Sequence, residues 1–399
     1  MSCNTRLVVA PRLLVHCDWS VAPAKRWLAA AQLLPDGTYQ AAAPSRVGPL
    51  EAFLAQLRKW GPTGPILAGF DFPIGLPRRY AERAGIASFP EALFQFGSGP
   101  WRAFYEPAAT AEEVSIYRPF YPKKPGGTKK QLLVSALGLA SATDLLRACD
   151  CATPVRSKAC ELFWTLGANQ VGRAAIAGWS GLLAPALRDG LIALWPFHGD
   201  LAPLLESGGT VVAETYPAET YAHLGLERGF GKRRVEGRRS QARTILSWCD
   251  SNELALTPDL RTHIESGFGD HGTAEDMFDA VVGLLGLLEV VKGLVPAAIP
   301  LDSGIRDIEG WILGMAAWSD PGVGSGRKYH RGGTQRNVGP PARTPLGLVG
   351  TRLVCPACGK KEFARWPLGW DAHAAYNCPG VGGETPEQRK HTFKALYLK

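Results

Sequence analysis

The stretch that decides the fold is Leu13-Leu14-Val15-His16-Cys17-Asp18, a short apolar run that ends in an acid. Two segments after it, 26–34 and 38–43, flank the turn Pro35-Asp36-Gly37, and the three together predict antiparallel strands joined by hairpins. Leu50 to Trp60 then has the apolar spacing of a helix. This order predicts an α/β sheet whose first strand delivers a carboxylate at its end.

Later segments repeat the pattern of a buried strand that ends near an acid. Pro65 to Phe72 contains Asp71 near its end, and Thr210 to Glu214 ends on Glu214 itself. Further predicted elements are a strand at Leu191–Phe197 and helices at Leu132–Ala148, Gln170–Leu187 and Thr273–Leu294. The sequence thus predicts a mixed sheet flanked by helices, with an irregular and helical insertion at about 88–202.

Length and composition indicate a globular body with an appendage. The chain has 399 residues, of which 46% are hydrophobic and 20% charged, so it can bury a large core. We expect a body at 1–320, a Gly/Pro-rich linker at 321–350 and a small module at 351–399. The nine scattered cysteines, and the lack of a signal or membrane-spanning pattern, favour a cytoplasmic protein without disulfides or membrane association.

The positive charge is concentrated in the C-terminal part. Residues 321–399 contain 13 Lys and Arg against 4 Asp and Glu, whereas the rest of the chain contains 31 against 32. A basic appendage on a nearly neutral body predicts binding to a polyanion such as DNA or RNA, although the same charge also serves solubility.

Four separate acidic islands suggest a site for two hard divalent cations. Their carboxylates adjoin apolar runs, where an unpaired charge is costly to bury. The acids are Asp18, Asp71, Glu214, Asp276 and Asp279. In this scheme Asp18 bridges two Mg²⁺ or Mn²⁺ ions, Asp71 and Glu214 hold them from the sides, and the i, i+3 pair Asp276 and Asp279 completes the shell. Two such ions would hydrolyse phosphodiester bonds. Each acid alone has a simpler interpretation: Asp276 as a helix cap, or Glu214 as the partner of an arginine.

Two basic segments are candidates for contact with phosphates. The first surrounds Gly126-Gly127 and contains Lys123, Lys124, Lys129 and Lys130. The second, 228–243, holds seven Lys and Arg, among which Lys232 and Arg233 are the candidates for steadying a phosphate. Solvated surface segments are the alternative for both.

The islands together resemble a known family. Asp18-Trp19-Ser20, Gly69-Phe70-Asp71-Phe72-Pro73-Ile74-Gly75-Leu76-Pro77, Glu214-Thr215-Tyr216-Pro217-Ala218, Gly231-Lys232-Arg233 and Asp276-Met277-Phe278-Asp279-Ala280 are similar, in this order, to predicted RNase H-like nucleases known as domain of unknown function four-two-nine. The resemblance covers roughly residues 12 to 315. It implies an RNase H-like fold with a mixed sheet of five strands flanked by helices. By analogy with Holliday-junction resolvases, it also implies metal binding by Asp276 and Asp279 together with Asp18.

The C-terminal module has the spacing of a zinc site. Cys355, Cys358, His373 and Cys378 form a C-x2-C-x14-H-x4-C pattern, and four N/S ligands suit tetrahedral Zn²⁺. We therefore expect a small ββα-type finger, folded by its metal, that aids substrate binding. The alternatives are a finger that docks on the body, His391 as a substitute ligand, or an unmetallated tail.

Two other functions remain open for the body. The first is an inactive RNase H-like protein that binds nucleic acid or acts as a scaffold. The second is a sugar-kinase-like phosphotransferase, because that fold is related. Against the second, no glycine follows Asp18 to let a backbone approach phosphate closely.

Overall fold

The computed structural model describes residues 9–61, 63–124, 129–153, 156–166 and 171–316, together with the backbone of 348–349 and 352–353. The chain divides into two compact units, Met1–Val323 and Gly324–Lys399. In the second unit the described backbone is a strand pair, Leu348–Val349 with Arg352–Leu353. The predicted zinc ligands Cys355, Cys358, His373 and Cys378 lie outside the described residues, as does the predicted linker apart from Leu348–Val349.

The first unit is built on a mixed sheet of eight strands. They are β1 (Leu13–Asp18), β2 (Trp27–Leu33), β3 (Tyr39–Ala41), β4 (Ser45–Arg46), β5 (Ile66–Phe70), β6 (Ile192–Leu194), β7 (Thr210–Glu214) and β8 (Leu254–Leu256). The order is β6-β7-β5-β1-β2-β3-β8, with β4 paired to β2. Strands β1, β5, β7 and β6 are mutually parallel, whereas β1, β2 and β3 form an antiparallel meander.

Twelve α-helices occur among the described residues. They are α1 (Leu50–Trp60), α2 (Arg78–Ala84), α3 (Phe89–Gln95), α4 (Lys130–Ala136), α5 (Val171–Gly178), α6 (Ala184–Arg188), α7 (Leu201–Glu206), α8 (Pro217–His223), α9 (Val235–Ser240), α10 (Ala242–Ser251), α11 (Pro258–Ser266) and α12 (Ala274–Val291). Trp179–Leu183 joins α5 to α6 as a π-helical turn, and Ile305–Glu309 is a second one.

The sheet separates two hydrophobic cores because side chains alternate along each strand. On β1, Leu13, Val15 and Cys17 face a core shared with α1, α3 and the insertion. Leu14 faces the other core, which contains α12. Helix α12 packs directly on β1 and β2. There Gly283 touches His16 so closely that an added Cβ would lie 2.2 Å from the imidazole ring. The close packing of α12 on β1 therefore requires a glycine at position 283.

Several sequence-based expectations need correction. The sheet has eight strands instead of the expected five. The strand predicted at Leu191–Phe197 is β6 and extends the parallel edge, whereas β4 and β8 are too short to show a periodic pattern. The helix expected at Leu132–Ala148 ends at Ala136, since Gly138 turns the chain with a φ of +64°. The α/β class with helices around a mixed sheet is confirmed. In the described part of the chain, no helix is both long and apolar enough to cross a membrane.

Candidate active site

Three parallel strands bring carboxylates to one edge of the sheet. Asp18 is the last residue of β1, Glu214 is the last residue of β7, and Asp71 follows directly after β5, which lies between them. The carboxyl ends of adjacent parallel strands share an edge, which is where α/β sheets commonly bind ligands. The backbone amide of Trp19 donates to Oδ1 of Asp71 over 2.7 Å, which fixes this carboxylate beside β1.

Helix α12 adds two acids to the same edge. Asp276 and Asp279 stand one turn apart near its N-terminus, and packing of α12 against β1 carries both toward Asp18. Asp279 is buried, and Asp276 is partly exposed. Oδ2 of Asp276 is shielded from solvent and has no hydrogen-bond partner among the described residues. A buried, unpartnered carboxylate oxygen is costly unless a cation meets it.

All five predicted acids line a single cavity of about 620 Å³. Its other charged lining residues are Lys25, Arg147, Asp150, Arg173, Lys232 and Glu275, and Ser20, Tyr216 and Tyr221 line it as well. The volume is within the range of small-molecule sites, so it can hold a phosphate group together with part of a nucleotide. The structure thus brings together residues that lie up to 261 positions apart in the chain.

Burial and mutual repulsion raise the pKa values of the clustered aspartates. Burial, followed by the charges of Asp71, Asp279 and Asp276, raises the pKa of Asp18 well above its ordinary value. Burial also raises the pKa of Asp71 to about 7 and that of Asp276 to about 6. The cavity therefore holds more acidic groups than its own basic groups neutralise. An added cation would reduce the repulsion between the carboxylates.

Both carboxylate oxygens of Asp279 are bound by side chains of the protein. Its Oδ1 accepts a short hydrogen bond from the Tyr221 hydroxyl, and its Oδ2 lies 2.6 Å from Nζ of Lys232. Lys232 also pairs with Glu275 at 3.1 Å. Burial raises the pKa of Asp279, and Lys232 opposes that rise. Lys232, expected to contact phosphate, thus contacts the acids of α12, while Arg233 is exposed and 4.0 Å from Glu275.

The structure gives Glu214 a different partner from a metal ion. Arg147 binds both of its carboxylate oxygens, with Nη1–Oε2 at 2.5 Å and Nη2–Oε1 at 2.7 Å. Oε2 also accepts from the backbone amide of Ile74, and the same guanidinium binds Asp150. With these contacts Glu214 does not fit the expected role of metal ligand, because a fixed cation already neutralises it. Cys149 and Asp150 lie near Glu214 in a metal-like arrangement, but Arg147 compensates this group as well.

None of the four lysines expected to contact phosphate, all of which are described, lines the acidic cavity. The centre of the expected phosphate loop, residues 125–128, is outside the described residues. Lys130 pairs with the buried Glu161, and Lys124 and Lys129 are exposed. Lys123 lines a smaller hollow of about 370 Å³ that shares Val21 and Arg173 with the acidic cavity. Of these four lysines, therefore, Lys123 alone has a described position next to the candidate site.

Sequence reasoning missed several residues of the cavity wall. Arg147 and Arg173 lie in or near the insertion, where no motif singles them out. Tyr221 is on α8, after the strand that ends at Glu214, and carried no recognisable signal. Glu275 did carry a recognisable signal in the sequence, because it is four residues before Asp279 and so lies on the same helix face.

Without divalent cations, we expect the free energy of unfolding to fall by about 2 kcal/mol between pH 5 and pH 8. The pKa of Asp71 in the folded protein, about 7, exceeds its ordinary value of 3.8. The folded state therefore holds a proton that the unfolded state has lost, and stability declines as pH rises through this window. Urea unfolding of the wild type and Asp71→Asn, compared across the window, isolates this carboxyl. A wild-type curve that rises more steeply than that of the variant would contradict the assignment.

The donor atoms around the cavity suit a hard divalent cation by type, while the described ligand atoms that lie within 4.8 Å of one another are those of Cys149, Asp150 and Glu214. Asp18, Asp71 and Asp276 supply carboxylate oxygens, which Mg²⁺ and Mn²⁺ prefer. The unpartnered Oδ2 of Asp276 is the acceptor in this cluster that a cation could meet.

Comparisons with known proteins do not indicate a function, so the functional assignment rests on the geometry of the acidic cavity. No protein-family model matches the chain, and neither a curated protein nor a solved structure was found to be similar to it.

Proposed function

We propose that the body of this protein is a metal-dependent nuclease, which hydrolyses phosphodiester bonds of DNA or RNA in the acidic cavity. The observation that carries the proposal is the convergence of Asp18, Asp71, Asp276 and Asp279 on one open cavity. Such a cluster is unfavourable by itself, as the raised pKa values of these carboxyl groups indicate. It becomes favourable when divalent cations neutralise it.

The strand order supports an RNase H-like fold within this proposal. The antiparallel meander β1, β2 and β3 is followed by β5 and β7, which add parallel to β1 on its other side. This order places the end of β1 at the centre of the sheet. Asp18 therefore stands at the end of the central strand, which supports its proposed role as the acid that bridges the ions.

Bound Mg²⁺ or Mn²⁺ would activate a water molecule and stabilise the leaving oxygen. The protein's own residues supply position and charge. Trp19 donates its amide to Asp71 and so fixes one carboxylate, while Tyr221 orients Asp279. Lys232 and Arg173, both in the cavity wall, are placed to attract the phosphate of the substrate. The predicted zinc module would hold the polynucleotide through its basic surroundings.

A catalytically silent nucleic-acid-binding protein is the second candidate. It is favoured by the ion pairs of Lys232 with Asp279 and of Arg147 with Glu214, which compensate two of the five expected acids internally. For the phosphotransferase alternative, a second domain facing the first is needed. The described residues 9–316 belong to a single compact unit.

The test is cleavage of labelled DNA, RNA and branched substrates by the full-length protein with Mg²⁺, Mn²⁺ or neither. We expect cleavage of at least one substrate that requires a divalent cation. Asp71→Asn, which keeps an oxygen to accept from the Trp19 amide, should lose it. Binding without cleavage under all these conditions would favour the silent alternative, and cation-independent cleavage would contradict the proposal.

A further inference from the structure

We propose that the smaller hollow beside the acidic cavity binds an unstacked base of a single-stranded nucleic acid, with Arg173 and Lys123 on the adjoining phosphate. This inference rests on the proposed function for the class of its ligand, and it adds the form of that ligand, a single strand. The hollow has a volume of about 370 Å³. We call it the apolar hollow, because its lining residues other than Lys123 and Arg173 are uncharged.

The wall of the apolar hollow suits the flat face of a base. On α5, Ile176 and Ala177 follow Arg173 by three and four residues, so the three lie on one helix face. Tyr105 adds an aromatic ring, which packs edge-on against Phe104 with the ring centres 5.3 Å apart. Bases of any kind stack on such surfaces, because every base has a flat π face. The volume is at the lower end of the range for small-molecule sites, which suits one base with its sugar.

Two cations stand at this wall without an acid to neutralise them. Among the described residues, neither Lys123 nor Arg173 forms an ion pair; instead Nη2 of Arg173 donates to the carbonyl of Lys123 over 2.8 Å. The amide of Lys123 donates in turn to the carbonyl of Ala108 over 2.7 Å. Nε of Arg173 is shielded from solvent and has no hydrogen-bond partner in the described part of the chain, a cost that a bound acceptor would remove. A guanidinium and an ammonium group beside an apolar wall complement a ligand with a flat apolar body and a phosphate.

The apolar hollow adjoins the acidic cavity, since Val21 and Arg173 line both. Val21 is 45% exposed, which leaves an apolar side chain in solvent at the junction. A strand with one base in the hollow would therefore pass its phosphate along Arg173 toward the acids. A base inside a duplex is paired and stacked and cannot enter, whereas the bases of a single strand can turn outward. This difference is the reason for assigning a single strand to the hollow.

Oligonucleotide binding to the full-length protein, without added Mg²⁺ or Mn²⁺, tests the inference independently of cleavage. The probes are a fluorescent single strand of about ten nucleotides and the same strand with abasic residues throughout. We expect the wild type to bind the complete strand about 10-fold more tightly, the size of effect that stacking of one base produces. A strand that carries 4-thiothymidine should also form a photocrosslink to the segment that contains Tyr105, and the corresponding duplex should not.

Ala177→Phe fills the apolar hollow without a change of charge. It should lower affinity for the complete strand by about 10-fold and leave affinity for the abasic strand unchanged. Ala52→Phe is the matched control, because it adds the same side chain at an exposed position of α1, which lines neither cavity. It should bind both strands as the wild type does. Lys123→Met should weaken binding of both strands by the same factor, since both contain the phosphates.

Equal affinity of the wild type for the two strands would overturn the inference, as would unchanged discrimination by an Ala177→Phe variant that is folded by circular dichroism. The photocrosslink requires no variant, and a crosslink confined to residues 324–399 would overturn the inference too. A single strand that is bound in the hollow but never cleaved with Mg²⁺ or Mn²⁺ would contradict the nuclease proposal and leave this inference intact. Cation-dependent cleavage by a wild type that does not discriminate between the strands would do the reverse.

Discussion

Asp18→Asn is expected to reduce cation-dependent cleavage by more than about 100-fold, beyond the 10- to 100-fold loss typical of outer-shell partners of a metal. Asp18 stands at the end of the central strand β1, and its carboxyl group is repelled by Asp71, Asp279 and Asp276 together. An amide at this position has no charge to offer a cation. The substitution therefore removes the acid whose charge interacts with those of Asp71, Asp276 and Asp279.

The same variant should be more stable than the wild type when no divalent cation is present. Burial and the charges of neighbouring aspartates raise the pKa of Asp18, so its charged form is costly in the folded protein, and an amide at this position avoids that cost. A cation that binds the folded protein stabilises it, and the stabilisation grows with the affinity of the folded protein for the cation. The wild type should therefore gain thermal stability with Mg²⁺, and Asp18→Asn should not. Cleavage assays and thermal unfolding with and without Mg²⁺ measure both effects.

Asp189→Asn is the control for this experiment, because it removes the same charge from an exposed turn after α6. It should leave both cleavage and the Mg²⁺-induced gain unchanged. Equal cleavage by the wild type and Asp18→Asn would rule out the acidic cavity as the catalytic site. An equal Mg²⁺-induced gain would show that Asp18 does not take part in cation binding.

Arg147→Ala is expected to lower the free energy of unfolding by about 3–5 kcal/mol, the usual consequence of removing one partner of a buried ion pair. The Arg147 side chain is buried and binds Glu214 and Asp150 at 2.5–3.0 Å. It also donates to the carbonyl of Glu309, the last residue of the second π-helical turn. Without the guanidinium, two buried carboxylates would lose their compensating charge at the same time.

Urea unfolding measures this loss, and Arg79→Ala provides the comparison. Arg79 pairs with Glu82 on the surface of α2, where the two side chains are 65% and 50% exposed. A pair of this kind contributes about 0–1 kcal/mol. If Arg147→Ala costs no more than Arg79→Ala, the ion-pair group around Glu214 does not stabilise the fold, and Glu214 returns as a candidate metal ligand.

Local sequence patterns were sufficient for the elements that bury a continuous apolar surface. The spacing of Leu50, Phe53, Leu54 and Leu57 predicted α1 with the bounds that the structure has. Leu13–Asp18 and Thr210–Glu214 were predicted to the residue as β1 and β7. In contrast, the two-residue strand β4 and the three-residue strand β8 have almost no periodicity, and pairing with β2 and β3 creates them.

The candidate site was predictable in its acids but not in its bases. Asp18, Asp71, Asp276 and Asp279 each follow or begin an apolar element, and their position at element ends is visible in the sequence. The roles of Arg147 and Lys232 are not visible there, because a basic residue 67 positions from Glu214, or 47 positions from Asp279, is one of many that could reach it. Arg238 also belongs to a segment that resembled a solvated or phosphate-binding edge, yet it is buried and supports a turn.

The sequence by itself determined the α/β class, the strands that end in acids and the helix that carries Asp276 and Asp279, because hydrophobic periodicity and strand length act within a few residues. Only the tertiary structure decided which of those acids form ion pairs with a basic side chain. Ion pairs form only between groups that the fold brings within a few ångströms of each other. Packing of α9 places Lys232 beside Asp279, and packing of the insertion places Arg147 beside Glu214.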